Sequence, residues 1–77
     1  MKNTSSAITV QDIRREFPFV LKNEFAERTI LDTKVLSDKN GQFTQARLID
    51  TRKGTISIAR FWLKDAREYC YNFIKKA

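Results

Sequence analysis

The stretch KNGQFTQARLIDTRKGTISIARFW, residues 39–62, reads as two extended runs joined by a tight turn and preceded by another. Asn40-Gly41 is a strong short-range hairpin signal, because both residues accept the positive φ that a two-residue turn demands. DTRKGT supplies the second turn: Asp50 can bond its own backbone, and Gly54 can take a positive φ. In QFTQARLID, Thr44, Ala46 and Leu48 alternate against Phe43, Gln45, Arg47 and Ile49. In TISIARFW, Ile56 and Ile58 share one face, and Thr55, Ser57 and Ala59 share the other. If Ala46, Leu48, Ile56 and Ile58 cover the core, then Gln45, Arg47, Thr55 and Ser57 point outward. Arg60 breaks this alternation, since it shares parity with the two isoleucines, and is expected at a bulge or at the sheet's margin.

Upstream, TILDTKVL (29–36) has period two and reads as a first strand, so the three runs form an antiparallel meander. Before it, Thr9 caps a helix starting at Val10, and Asp12 lies near the positive end of its dipole. Pro18 ends or kinks that helix at Phe17, and VLKNEFAER can continue as a second short helix. Downstream, LKDAREYCYNFIKKA places Leu63, Ala66, Cys70, Phe73 and Ile74 at helical spacing, which predicts an amphipathic helix across the sheet. The expected fold is α+β in the order α-β-β-β-α. Residues 1–8 read as a flexible polar tail and residues 9–77 as a single domain.

Seventy-seven residues with 42% hydrophobic and 31% charged side chains suit one compact domain. One Cys and no His exclude an internal disulfide and a Cys/His zinc site. No apolar run approaches the roughly 18 residues of a membrane span. The N-terminal residues lack a signal peptide's apolar stretch, so a cytoplasmic location and no membrane partner are expected. Catalysis has little to work with: there is no His, Asp65 and Glu68 read as an exposed helix face, and Cys70 reads as a core thiol. No catalytic, metal or cofactor residues are assigned, and both glycines belong to turns.

The net charge of +6 lies entirely in residues 28–77, since residues 1–27 carry equal numbers of acidic and basic side chains. A basic sheet points to nucleic acid. Arg47 can read guanine and Gln45 adenine, with Ser57 on base or phosphate, Lys39, Arg52 and Lys53 gripping the backbone, and Arg60 included in the nucleic-acid-binding set. Trp62, Tyr69 and Tyr71 have flat faces that can stack on bases, although Trp62 also suits packing over the core edge. Phe43, beside the Asn-Gly turn, is expected to be exposed. The rival class is a protein-binding module, such as a small phage or bacterial effector, anchored by Phe43, Trp62, Tyr69 and Tyr71.

Over residues 41–76, GQFTQARLI, GTISIARF and KDAREYCYNFI resemble the AP2-like DNA-binding fold, including the arm-binding domains of integrases. Phe61, Ala66 and Tyr69 stand in places comparable to that family's strand-ending aromatic, helix alanine and later aromatic. The resemblance implies duplex DNA read in the major groove by Gln45, Arg47 and Ser57, in an accessory or regulatory role in a phage or mobile element. The α-β-β-β-α order is also similar to that of the double-stranded RNA-binding domain. SDKNGQ and LKDAREY replace that family's turn and helix motifs, so none of its RNA-binding residues carries over.

Overall fold

A computed structural model describes residues 4–75. Its elements are β1 (Ser5–Ser6), α1 (Val10–Glu16), α2 (Pro18–Leu21), β2 (Arg28–Asp38), β3 (Gly41–Asp50), β4 (Ile56–Lys64) and β5 (Glu68–Lys75). Strands β2 to β5 form an antiparallel meander, each paired with the next. Strand β1 wedges between the ends of β3 and β4, parallel to β3 at Ser5–Gly41 and antiparallel to β4 at Ser5–Lys64 and Ser6–Leu63. Residues 4–8, expected in a polar tail, therefore belong to the sheet and its core, with Ile8 only 7% exposed. Residues 1–3 of that tail lie outside the described residues.

Helix α1 begins as the sequence indicates. Thr9 accepts from the Asp12 N–H, and the Asp12 carboxylate accepts from the Thr9 N–H. This capping box satisfies two N-terminal donors reciprocally. Pro18 opens α2, which ends at Leu21. The expected helical continuation through residue 28 is replaced by a turn in which Asn23 Oδ1 accepts from the N–H groups of Phe25 and Ala26.

The larger correction is at the C-terminal end. Where the amphipathic helix is expected over 63–77, residues 63–64 end β4, a tight turn follows with Asp65 and Ala66 at φ +53° and +56°, and residues 68–75 form the strand β5; residues 76–77 lie outside the described residues. The turn is closed by Arg67 N–H donating to Lys64 O, and held from outside by Asp65 N–H donating to Thr4 O at 2.8 Å. Once in a strand, Tyr69, Tyr71 and Phe73 fall on one face. There the rings of Phe17, Phe61 and Tyr71 meet at centroid distances of 5.2–6.4 Å. The fold is thus mostly sheet, and the α-β-β-β-α order with its packed C-terminal helix does not occur.

Both helices lie on one face of this sheet. Ile13, Phe17 and Val20 pack with Ala46, Leu48, Ala59 and Phe61 in one buried cluster. Ala46 and Ala59 are direct cross-strand partners and fully buried, so two small side chains leave room for the helices to approach. Thr44 ties the segment before α1 to the sheet, accepting from Ile8 N–H and donating to Ile8 O. The opposite face carries no helix. Among the described residues no helix is long and apolar enough to cross a membrane.

Candidate nucleic-acid interface

The pairing register decides what the uncovered face presents. Gln45 pairs with Arg60 and Arg47 with Ile58, while Asp32 and Lys34 of β2 pair with Arg47 and Gln45. Cross-strand partners share a face. Gln45, Arg47 and Arg60 therefore lie together on the uncovered side, as neighbours on two adjacent strands.

The remaining predicted residues do not join them. Ser57 pairs with Leu48 and is 9% exposed, so it faces the core and cannot reach a ligand. The phase expected for β4 is inverted: Ile56 and Ile58 face outward, and Ala59 and Phe61 fill the core. No bulge interrupts the β3–β4 pairing, so Arg60 is in register and not at a margin. Arg52 and Lys53 sit in the β3–β4 turn, where their N–H groups donate to Asp50 Oδ1. Lys39 is in the β2–β3 turn at the other end of the sheet. The ten residues of β3 put these turns about 30 Å apart.

Arg47 is not a free cation. Its guanidinium grips the Asp32 carboxylate with Nε and Nη2, and this holds Asp32 below the usual carboxylate range. Arg60 lies over the Phe43 ring, 4.6 Å from its centroid, and its buried Nε has no hydrogen-bond partner. Phe43 is consequently 5% exposed, contrary to the expectation that it is open. The side chains of Lys34, Lys64 and Asn72 make no hydrogen bond among the described residues.

Two concavities mark this face. One, toward β2, is lined by Asp32, Lys34, Gln45, Arg47 and Ile58. The other is a recess of about 390 Å³ at the β1 end, floored by Phe43, Arg60 and Trp62. Thr4, Ser5, Asn40 and Asp38 wall one side of it, where the Asp38 carboxylate accepts from the Asn40 N–H, and Lys64, Glu68, Cys70 and Asn72 continue the lining. Burial, and then the Glu68 charge, push the Cys70 thiol up, so it sits there protonated at neutral pH.

Lys34, Lys64 and Asn72 escaped the sequence reading as site residues, while Trp62 entered it only as a surface for stacking or docking. The one signal for them is register: each shares a face with Gln45 or Arg60 once the strands are paired. The four proposed protein anchors divide between the two faces, with Phe43 and Trp62 on the open side and Tyr69 and Tyr71 on the helix side. No protein-family model matches the chain, nor does any curated protein or solved structure.

Proposed function

We propose that this chain binds single-stranded nucleic acid across the uncovered face of its sheet. The observation that carries the reading is the set Lys34, Arg60 and Lys64 on one helix-free face, none of them in an ion pair among the described residues: Arg60 and Lys64 line the recess that Trp62 floors, and Lys34 lines the concavity beside it. Cations along a groove with an aromatic platform suit a flexible strand, whose phosphates follow the charges while a base stacks. Width argues against groove entry by the sheet. Four strands at about 4.8 Å spacing put the outer axes about 14 Å apart before side chains, against a major groove about 12 Å wide. A four-stranded sheet instead offers a platform of the kind on which unpaired bases are splayed.

Anisotropy titration of a labelled fifteen-residue oligothymidylate against its duplex, from 50 to 200 mM salt, tests this. Three phosphate contacts, from Lys34, Arg60 and Lys64, predict a log–log slope of about −2.1 for a single strand, an affinity loss of about twenty-fold over that range. Lys34→Ala/Lys64→Ala is expected to reduce the slope to about −0.7. Tighter binding of the duplex, or an unchanged slope in the double variant, would overturn the reading.

A second reading, docking on another protein, draws on the opposite surface. Phe19 and Tyr71 are 53% and 41% exposed and meet edge to face at 5.6 Å. Phe19→Ser would abolish that docking and leave oligonucleotide binding intact.

A further inference from the structure

Three consecutive cross-strand pairs of β4 and β5 face the recess: Arg60–Asn72, Trp62–Cys70 and Lys64–Glu68. Successive pairs on one face are about 6.7 Å apart along the strands, so the two polar pairs are about 13 Å apart with the indole between them. The middle pair is a flat apolar floor. One end is a donor cluster in which Arg60 Nε lacks an acceptor, and the other brings a carboxylate to the rim. From this arrangement, and resting on the single-strand reading above, we propose that the recess takes one unstacked base and selects guanine.

Volume sets the first constraint. About 390 Å³ lies at the small end of ligand sites and is roomy for one nucleobase and its sugar. Hydrogen bonding sets the second. Guanine presents two adjacent donors, N1–H and the N2 amino group, which a carboxylate accepts together. Adenine, cytosine and thymine each place an acceptor beside their Watson–Crick donor, so the same carboxylate would face a lone pair. Guanine also carries two acceptors, O6 and N7, which an arginine can address. A guanine stacked on Trp62 turns its donor edge to Glu68 and its acceptor edge to Arg60 and Asn72, matching the polarity of the recess at both ends.

Trp62 is the only tryptophan of the chain, so its emission reports occupancy of its own floor. The test uses the full chain and four oligothymidylates of fifteen residues, carrying thymidine, guanosine, adenosine or cytidine at the centre. The guanine strand is expected to bind about tenfold tighter than the other three, in line with one bidentate recognition. It should also quench Trp62 emission more strongly. Glu68→Gln, an exposed substitution, should collapse that preference to within about twofold, with an unchanged urea midpoint showing that the fold survives. Equal binding of all four strands, or a preference retained in Glu68→Gln, overturns the guanine recess and leaves the single-strand reading standing. Failure of every strand to bind at low salt overturns both.

Discussion

Gly41→Ala isolates the contribution of the two-residue strand β1. Gly41 has φ +128°, a region that residues with a Cβ rarely enter, at a cost of about 1–3 kcal/mol. An added Cβ would stand 2.8 Å from the Ser5 backbone nitrogen and closer still to the Ser5 carbonyl oxygen. Neither is a flexible side-chain end, so β1 must move away by several tenths of an ångström. That movement strains the bonds holding the strand, Ser5 N–H to Asn40 O at 2.9 Å and Asp65 N–H to Thr4 O at 2.8 Å. Two such bonds at about 1 kcal/mol each, added to the backbone strain, give a total of about 3–5 kcal/mol. Gly54→Ala is the matched control: φ is +71° and nothing lies within 4 Å of the new Cβ, so only about 1 kcal/mol is expected. Urea unfolding of both variants measures the difference, and amide exchange at Ser5 and Asp65 locates it. With a denaturant slope of about 1 kcal/mol/M, the midpoints should fall by about 3–5 M and about 1 M. Equal losses in the two variants, or undiminished protection of those amides in Gly41→Ala, would refute the account of β1 as a wedge held by close backbone approach.

Ala66→Gly should stabilise the fold by about 0.5–1 kcal/mol in urea unfolding, because Ala66 holds a φ of +56° that glycine adopts without strain. Backbone N–H donors hold two carboxyls below the usual range, Thr9 at Asp12 and Arg52 at Asp50, and Arg47 does the same for Asp32. The folded state then binds fewer protons than the unfolded chain, so this stability is complete above the unfolded value near pH 4 and is lost as pH falls through the folded values. The urea midpoint should be flat from pH 7 to 5 and fall below pH 4, and the fall should be shallower in Asp12→Asn/Asp50→Asn. Asp32→Ala, which releases Arg47 and removes a negative charge from the open face, should tighten oligothymidylate binding several-fold at 50 mM salt and steepen the salt slope.

The meander was legible where local chemistry suffices. Asn40-Gly41 and Asp50 with Gly54 mark the places where β2, β3 and β4 are joined, although the first loop is Lys39-Asn40, with Gly41 alone at positive φ as the first residue of β3, and Thr9 with Asp12 marks the start of α1. The C-terminal strand was not legible, and the reason lies 61 residues away. Asp65 tolerates a positive φ, but Ala66 after it does not announce a mirror-image turn, and LKDAREY has a fair helical pattern. What fixes the turn is the Thr4 segment, whose carbonyl accepts the Asp65 N–H and whose N–H donates to the Asp65 carboxylate. With the turn fixed, Tyr69, Tyr71 and Phe73 bring three aromatics to one face. Tyr69 and Phe73 pack partly buried against the core and Tyr71 meets the rings of Phe17 and Phe61, which outweighs the helical alternative that would scatter the three around a cylinder.

The candidate site shows how one parity decision propagates. Gln45 and Arg47 were placed outward correctly because Ala46 and Leu48 are the apolar positions of β3. In β4 the larger isoleucines were turned inward, which sent Ser57 outward and left Arg60 in conflict. That conflict held the answer. In an antiparallel pair the sum of partner numbers is constant, so the pairing of Gln45 with Arg60 forces Arg47 onto Ile58 and Leu48 onto Ser57. Shifting β4 by one residue to bury the isoleucines would expose Ala59 and Phe61, and would bury Arg60 with no partner. Phe61 is fully buried beside Phe17, whereas Ile56 at 38% exposure loses little by facing out. The same constraint carries forward through β5, where Trp62 faces Cys70 and Lys64 faces Glu68. A single arginine out of phase in TISIARFW therefore specifies the open face, and with it the recess that we assign to a guanine base.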